Sequence, residues 1–367
     1  MLKPKKILNH VYELGVYKEL DYNLAEEMCK NILDGWEGGC TAVARYTDDS
    51  KMIVGRNMDF YISHKPAYIV KTEVPDFYKT YGITYSHNFG PNDEDVEKVG
   101  LDDAVYKMLP FLCSDVFNEE GLYIETNMRN GEYLKSGKTQ YGCTGTNPLA
   151  KHRICSLILP RYLGENCANV KEAIALVKEL DIYTPSVTGM DWNFCFMLAD
   201  KSGDYGVLEI AQNKISWLQD APAQANFYLT PAFQYNEEYG SGVGRYELVT
   251  RERDSVANED DMYELIKKVS YSYIYKPDIC PFDVRSEYIG NDKYLTYDVM
   301  MDDKNRKEVE KGIRELCDAH NKKSRAQQED EMTSWESVFT EVINCTDRTW
   351  FIRFFEDEKR TIKLRFS

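Results

Sequence analysis

The stretch GGCTAVARYTDDSKMIVGRNMDF, residues 38–60, decides the fold of this chain. Apolar residues alternate with small or polar ones on both sides of residues 48–50, whose types favour a turn, so the stretch predicts a β-hairpin. The second strand of such a hairpin runs back along the first and brings Arg56 and Asp59 opposite Cys40. The spacing therefore predicts a thiol, a guanidinium and a carboxylate at one end of the hairpin.

Cys40 is the candidate nucleophile of this group. A cysteine attacks only as the thiolate, so it needs a base or a cation beside it. None of the five histidines lies in a recognisable catalytic motif, and a free α-amino group, with a pKa of about 8, is an alternative base. Cleavage between Gly39 and Cys40 would give the cysteine such an amine, already in position. Glycines before this bond allow the distorted backbone that self-cleavage by the thiol needs.

Arg56 and Asp59 would complete the site. The permanent charge of Arg56 would lower the pKa of the thiol, and Asp59 would hold the new amine. The alternative interpretation is that Cys40 fills the core, as most of the ten cysteines do, and that Arg56 and Asp59 form an ordinary surface ion pair. The residue pattern by itself leaves both interpretations open.

The composition argues against several function classes. Lys and Arg number 45 against 61 Asp and Glu, a formal net charge of −16, which argues against a nucleic-acid partner. No window approaches the ~18 apolar residues of a membrane span, and residues 1–15 lack the features of a secretory signal. We therefore expect no membrane insertion and a cytoplasmic location. The cysteines form no CxxC pair and the histidines no HxxxH or HExxH motif, so we expect neither a metal site nor a cofactor.

The chain divides into two parts. Residues 1–39 predict a helical leader of two short helices, at 5–15 and 23–33, ended by glycines. Residues 40–367 predict one catalytic domain. Strands are predicted at 40–60, 66–74, 115–128, 192–218 and in three segments of 335–366. Helices are predicted at 147–163, after a cap at Asn169, near 259–270 and near 305–317, with a polar loop at 319–333. Because the strands and helices show no βαβ regularity, the fold class is α+β, with a mixed sheet and segregated helices.

The segment that begins at Cys40 resembles the start of the mature choloylglycine hydrolase and penicillin V acylase family. These proteins are N-terminal-nucleophile hydrolases, and the segment is similar also to acid ceramidase-type amidases. The family opens with Cys-Thr, a hairpin and a Gly-Arg-Asn-x-Asp signature, which match Cys40, Thr41, Gly55, Arg56, Asn57 and Asp59. Later segments resemble the family in the same order, as far as about residue 355: FNEEGLYIE, RYLGENCANVKEAIALVKELDI, WNFCFMLADKSGDYGVLEI, GVGRYEL and WESVFTEVINCTDRTWFIRFFED.

The resemblance implies a fold and an activity. It implies a four-layer αββα sandwich and hydrolysis of linear amide bonds in N-acylated small molecules of the bile-salt, penicillin V or fatty-acyl type. It implies activation by autoproteolysis at Gly39–Cys40 and a catalytic set of Cys40, Arg56, Asp59 and Arg245. Homo-oligomers, either tetramers or dimers, are implied as well. An acyltransferase that uses the same thioester and a catalytically impaired binding protein are the alternatives.

Two departures from the family pattern affect this interpretation. Family members carry an asparagine of the oxyanion hole after a Leu-Thr pair, but here that position is Pro231, which has no N–H to donate. Either Asn226 or Asn236 replaces it or the site works differently, and the second donor, a backbone N–H, is expected between Asn127 and Gly131. The other departure is the leader, which is either an autocleaved propeptide or an uncleaved structural extension.

An apolar pocket is expected to receive the acyl group. Loops after residue 59 and near 128–140 would line it, although each side chain could equally be an ordinary core or surface residue. The candidate pocket residues are Phe60, Tyr61, Tyr68, Met128 and Tyr133.

Overall fold

The computed structural model of the chain describes most of its length. The described residues are 3–30, 39–61, 66–85, 93–129, 142–187, 190–191, 193–233, 242–270, 303–324, 327, 335–354 and 359–366. The strands are β1 Lys5–Leu8, β2 Val11–Tyr17, β3 Gly39–Tyr46, β4 Met52–Tyr61, β5 Ala67–Thr72, β6 Thr80–Tyr85, β7 Asp115–Asn118, β8 Tyr123–Arg129, β9 Arg153–Cys155, β10 Asp181–Tyr183, β11 Ser186–Val187, β12 Met190–Asp191, β13 Asn193–Ala199, β14 Tyr205–Ala211, β15 Lys214–Gln219, β16 Ala223–Gln224, β17 Trp335–Asn344, β18 Thr349–Phe354 and β19 Thr361–Arg365. The helices are α1 Tyr22–Cys29, α2 Asp93–Lys98, α3 Asp103–Met108, α4 Leu159–Asn166, α5 Val170–Glu179, α6 Val243–Glu252, α7 Glu259–Lys267 and α8 Asp303–Asn321.

Two large sheets form the centre of the molecule. The nine-stranded sheet has the order β1-β2-β5-β6-β7-β8-β13-β14-β15, and the six-stranded sheet has the order β16-β3-β4-β17-β18-β19. Neighbouring strands in both sheets are antiparallel, except that β2 pairs parallel with β5. Successive side chains of a strand point to opposite faces, so each sheet offers one face to the other sheet and one to the helices.

Three hydrophobic cores separate four layers. Between the sheets, Val54, Phe339 and Trp350 of the smaller sheet share a core with Phe117 and Met197 of the larger one. The larger sheet carries α1, α4 and α5 on its outer face, and the core there includes Ala25, Ile124, Leu163, Ile174 and Phe196. The smaller sheet carries α6 and α7, with Val43, Ile53, Val249, Met262 and Ile266 between them. The predicted four-layer αββα arrangement is confirmed.

Local sequence signals account for the elements that were predicted well. The Asn169 side chain accepts a hydrogen bond from Glu172 N at 3.0 Å, so the predicted cap of α5 is confirmed, while the Glu172 carboxylate accepts one at 2.8 Å from Ala168 N, the residue before the cap. The predicted strands at 66–74, 115–128, 192–218 and 335–366 and the helices near 259–270 and 305–317 are confirmed.

The leader differs from its prediction. Residues 5–17 form a β-hairpin, β1 and β2, instead of a helix. In the described part of residues 1–39 the helix is 22–29, and residues 31–33 of the second predicted helix lie outside the described residues. Ile7, Val11 and Leu14 have helical spacing, but β2 also carries a register irregularity between Glu13 and Val16, which disturbs a simple alternation. Pairing with β5 stabilises the strand, and such tertiary contacts override local preference.

Two further predictions need correction. The proposed helix at 147–163 is helical only from residue 159, because β9 pairs with β10 and a short 3₁₀ turn follows it, with Pro160 in the first turn of α4. The polar loop expected from 319 begins later, since α8 extends to Asn321. Within the described part of the chain, no helix has the length and apolar character that a membrane crossing requires.

Candidate active site

The hairpin of β3 and β4 places the central group of side chains. In the observed register Cys40 lies opposite Met58, Ala42 opposite Arg56 and Gly39 opposite Asp59. The turn at 48–50 contains Ser50 with φ 65°, as the turn-forming residue types predict. Cys40 and Met58 both belong to the core between the sheets, so this end of the hairpin is buried.

The guanidinium of Arg56 lies against the thiol. Arg56 Nη2 is 3.5 Å from Cys40 Sγ, 3.3 Å from Met58 Sδ and 3.2 Å from the carbonyl oxygen of Thr126. Its Nε is 3.0 Å from Asp115 Oδ1 and 3.3 Å from Glu125 Oε2. The sequence therefore predicted the cation beside the sulfur but not the two carboxylates behind it.

Asn226 holds the backbone of Cys40. Its Oδ1 accepts a hydrogen bond from Cys40 N at 2.8 Å, and its Nδ2 donates to the carbonyl oxygen of Met128. The short strand β16 pairs with β3 two residues before Asn226, and this pairing carries the asparagine to the site. Of the two candidate asparagines, Asn236 lies outside the described residues.

Arg245 and Asp59 bind the other side of Cys40. Arg245 Nη1 donates to the carbonyl oxygen of Cys40 and lies 3.3 Å from Asp59 Oδ2, while its Nη2 donates to Asn226 Oδ1 at 2.7 Å. The Ser337 hydroxyl donates to Asp59 Oδ1. Arg245, Asp59 and Arg56 are all fully buried, so the interpretation of Arg56 and Asp59 as a surface ion pair is wrong.

Gly242 allows the approach of Arg245. It stands before α6 with φ 94°, in the left-handed region, and a Cβ there would lie 2.6 Å from Arg245 Nη2 and 2.8 Å from Ala225 Cβ. In the sequence, Gly242 is only the first residue of the motif GVGRYEL. Its role follows from the position of the Arg245 side chain in the structure.

Burial has the largest effect on the pKa of the Cys40 thiol. Burial raises the pKa of Cys40 to about 12, although the charge of Arg56 lowers it. Cys40 is 2% exposed, and its nitrogen is a peptide N–H that is already bonded to Asn226. With residue 39 joined to it, the cysteine is therefore a neutral thiol without an adjacent amine.

Not every predicted residue reaches this group. The prediction for Tyr68 needs correction. Its side chain packs with Tyr12 in a further hydrophobic cluster, at a ring-centroid distance of 6.0 Å, because residue 68 falls on the face of β5 that points away from the smaller sheet. The prediction for Met128 needs correction as well, because its side chain packs in the core beneath the helices and only its carbonyl meets Asn226. Asn127 is buried, and its Nδ2 donates to Glu125 Oε1 at 3.0 Å.

Three candidate pocket residues lie wholly or partly outside the described parts of the chain. Phe60 and Tyr61 belong to the backbone of β4, but their side chains are outside the described parts, and Tyr133 lies outside the described residues. Pro231 is exposed at the start of a 3₁₀ turn whose last residue, Phe233, is buried. The two residues before Pro231 donate to the Glu209 carboxylate through their backbone N–H groups, Thr230 N at 2.9 Å.

The buried carboxylates were missed, although the sequence held a signal. Glu341 stands between Phe339 and Ile343 on the inward row of β17. In the same way Asp115 shares a row with Phe117, and Glu125 with Tyr123. A charged residue in an otherwise apolar row of a strand indicates a buried polar cluster.

Comparison with known proteins finds a matching family and similar solved structures. The family model of the linear amide C–N hydrolases, choloylglycine hydrolase family, matches residues 40–236, more than half of the chain. No curated protein matches the chain. Among solved structures, it is similar to a variant of the conjugated bile acid hydrolase from Clostridium perfringens, with 14% identity, a TM-score of 0.46 and coverage of 89% of this chain and 92% of the other. It is also similar to the penicillin V acylase from Agrobacterium tumefaciens, with 12% identity, a TM-score of 0.43 and coverage of 89% and 86%.

The matched family defines the class of protein: a hydrolase that acts on non-peptide C–N bonds of linear amides. The chain belongs to the choloylglycine hydrolase family.

Proposed function

We propose that this chain hydrolyses the amide bond of an N-acylated small molecule with Cys40 as its nucleophile, after autoproteolysis between Gly39 and Cys40. The observation that carries the proposal is the convergence of three buried groups on one residue. Asn226 holds the nitrogen of Cys40, Arg245 holds its carbonyl oxygen and Arg56 faces its sulfur. A cysteine that merely filled the core would have no need for two buried guanidinium groups, because burying a charge is costly.

The first step would free the amine. The Cys40 thiol attacks the carbonyl carbon of Gly39, its proton passes to the Cys40 nitrogen and the C–N bond breaks, which leaves a thioester. Water hydrolyses the thioester to the Gly39 carboxylate and a free cysteine. This step converts the N–H that now donates to Asn226 into an amine that can accept a proton.

In turnover the same amine would act as base and then as acid. It takes the thiol proton while the sulfur attacks the substrate carbonyl, and it returns the proton to the leaving amine. Water then releases the acyl group from the thioester. Arg56 stabilises the thiolate, Asp59 and Arg245 hold the amine and the backbone of Cys40, and the Asn226 amide donates to the developing oxyanion. The acyl group is apolar, of the bile-salt, penicillin V or fatty-acyl class.

Intact mass measurement tests the proposal. We expect the purified wild-type protein to contain a chain that begins at Cys40, and Cys40→Ala to remain full length and inactive on a panel of bile-salt, phenoxyacetyl and fatty-acyl amides. Cys345→Ala is the matched control, since Cys345 is another buried cysteine of the core between the sheets, and it should be cleaved normally. A Cys40→Ala chain that is still cut after Gly39 would disprove self-processing.

A further inference from the structure

A second group of ionisable side chains lies behind Arg56, on the side away from the thiol. It consists of Asp115 on β7, Tyr123 and Glu125 on β8 and Glu341 on β17. All four are fully buried between the two sheets. The proposed chemistry uses none of them directly, so their presence needs its own explanation.

The charges of this group do not balance if every carboxyl is ionised. Three carboxyls would then face one permanent cation, Arg56, while the nearby Asp59 already pairs with Arg245 at 3.3 Å. Unpaired buried charge is costly, and a buried carboxyl normally avoids the cost by keeping its proton. At least one proton must therefore reside on the three carboxyls.

The hydrogen bonds of Tyr123 indicate where one proton lies. Its hydroxyl is 3.1 Å from Asp115 Oδ1 and also lies against Glu341 Oε1. A single O–H donates to one of these oxygens and must accept a hydrogen bond from the other, which an ionised carboxylate cannot supply. One carboxyl of the pair is therefore protonated.

The surroundings distinguish the two carboxyls. Burial raises the pKa of Asp115 as well, but Arg56, whose Nε lies 3.0 Å from Oδ1, and hydrogen bonds from Ser114, Glu341 and Tyr123 all favour its ionised form. Glu341 Oε2 accepts a hydrogen bond from Trp350 Nε1 at 2.9 Å, which leaves Oε1, beside the Tyr123 hydroxyl, to carry a proton; Glu341 also hydrogen-bonds Asp115 directly. Burial raises the pKa of Glu341 well above its ordinary value, and the neighbouring charge of Asp115 raises it further.

We propose that Glu341 keeps a proton and donates it to the Tyr123 oxygen, while Tyr123 donates to an ionised Asp115 that fixes Arg56 in front of the Cys40 thiol. Glu341, Tyr123 and Asp115 are then positioning residues, which act on the nucleophile through the guanidinium. The inference rests on the proposed role of Cys40. It adds a relay of hydrogen bonds that begins at Trp350 and Glu341 on the six-stranded sheet, passes through Tyr123 and Asp115 on the nine-stranded sheet, and returns through Arg56 to the Cys40 sulfur.

This relay determines how much positive charge the sulfur experiences. The titratable and charged groups that face Arg56 are Cys40 from β3, Asp115 from β7, Tyr123 and Glu125 from β8 and Glu341 from β17. An ionised Asp115 compensates part of the charge on Arg56. Asp115→Asn should therefore leave more positive charge for the thiolate. Glu341→Gln should instead preserve the hydrogen bonds that Glu341 makes with Trp350 and with Tyr123.

The location of the proton can be measured without any catalytic assay. In the infrared difference spectrum at pH 7 between wild type and Glu341→Gln, we expect the carbonyl band of a protonated carboxyl to be lost. The corresponding difference for Asp115→Asn should contain the bands of an ionised carboxylate instead. The opposite assignment would overturn the proposal. Glu165→Gln removes another buried carboxyl, one that accepts from Tyr22 at 2.8 Å, and controls for any general effect of burial.

Alkylation of Cys40 by iodoacetamide as a function of pH measures the effect on the nucleophile. Below the thiol pKa we expect Asp115→Asn in the cleaved enzyme to react about tenfold faster than wild type, the change that one pKa unit produces. Glu341→Gln should keep the wild-type profile because its amide donates to Tyr123, whereas Glu341→Leu, which cannot donate, should shift it.

The two readouts separate the possible failures. If Cys40 is alkylated faster in Glu341→Gln and at the wild-type rate in Asp115→Asn, the negative charge lies on Glu341 and the relay is refuted. If no protein, wild type included, is alkylated at Cys40, the proposed function fails, while the infrared difference still decides whether Glu341 holds the proton. Should Asp115→Asn not fold, the Glu341→Gln and Glu341→Leu profiles still decide, because two identical profiles contradict the proposal.

Discussion

Among single residues, Asn226 connects three parts of the site. It accepts hydrogen bonds from the Cys40 nitrogen and from Arg245, and it donates to the carbonyl oxygen of Met128. In the proposed mechanism this side chain orients Cys40 before the reaction and donates to the oxyanion during it. The proline at position 231 is compatible with this arrangement because it is exposed at the start of a 3₁₀ turn instead.

Replacing Asn226 tests this role. We expect Asn226→Leu, which keeps the size but not the amide, to lower kcat about 100- to 1000-fold, the usual cost of one lost oxyanion donor. Initial rates should be normalised to titrated Cys40 thiol, so that incomplete self-cleavage does not enter the result. Asn236→Leu serves as the control, because it alters the other asparagine that the sequence suggested. A large loss in that variant with a small loss in Asn226→Leu would assign the donor to Asn236.

Glu125 gives the stability of the protein a pH dependence. Burial raises its pKa from 4.5 to about 8, although Arg56 lowers it. The unfolded chain loses this proton near the ordinary pKa while the folded chain keeps it, so the free energy of unfolding falls as the pH rises from about 4.5 to about 8.

Urea unfolding at several pH values between 5 and 8 measures this effect. We expect Glu125→Gln to reduce the slope of the unfolding free energy by at most about 1.4 kcal/mol per pH unit, the slope that one proton produces. Glu13→Gln, at an exposed carboxylate of β2, is the control and should keep the wild-type slope. An equal slope in Glu125→Gln and wild type would mean that Glu125 is ionised throughout.

At the scale of elements, the hairpin of β3 and β4 was predictable because its signals are local. Turn-forming residues at 48–50 and the alternation around them fix the register, and this register places Arg56 opposite Ala42, two residues along β3 from Cys40 and on the same face of the sheet. The leader was not predictable in this way. Ile7, Val11 and Leu14 fit a helix as well as an irregular strand, and pairing with β5, more than fifty residues away, decides between them.

The contacts of the hairpin β1–β2 predict that it stabilises the fold. Tyr12 of β2 is 2% exposed, packs on Tyr68, and its hydroxyl donates to Asp93 Oδ1 at 2.6 Å. In the uncleaved Cys40→Ala background, we expect Tyr12→Ala to lower the free energy of unfolding by about 3–5 kcal/mol, the usual cost of removing a large buried aromatic side chain.

The same strand supplies the control for this measurement. Val16 of β2 is 41% exposed, and Val16→Ala should change the free energy of unfolding by only about 0.5 kcal/mol. Chemical denaturation followed by far-ultraviolet circular dichroism reports both variants. Similar small effects in the two would mean that the leader contributes little to the fold.

On the scale of the whole molecule, the contacts of the leader predict that it stays bound after cleavage. Beyond the pairing of β2 with β5, the Glu26 carboxylate of α1 accepts hydrogen bonds from Cys155 N at 2.8 Å and from the Tyr183 hydroxyl at 2.7 Å. Tyr22 donates to Glu165 at 2.8 Å. Breaking one peptide bond at Gly39 removes none of these contacts.

Gel filtration of the cleaved enzyme provides the test. We expect the leader and the chain that begins at Cys40 to elute together under native conditions and to separate in denaturant, with both masses found in the native peak. A native peak that contains only the larger chain would show that the leader dissociates. Cleavage itself is scored in denaturant, so loss of the leader and failure to cleave are distinguished.

The sequence by itself determined the hairpin, the position of the thiol with its arginine and aspartate, and the alternation that builds two sheets, because these depend on neighbouring residues and a period of two. The tertiary structure alone decided which asparagine reaches Cys40, that Tyr68 and Met128 face away from it, and that Asp115 and Glu341 meet through Tyr123. Those contacts join strands far apart in the chain. Their formation depends on how the sheets pack, which no local pattern of residues specifies.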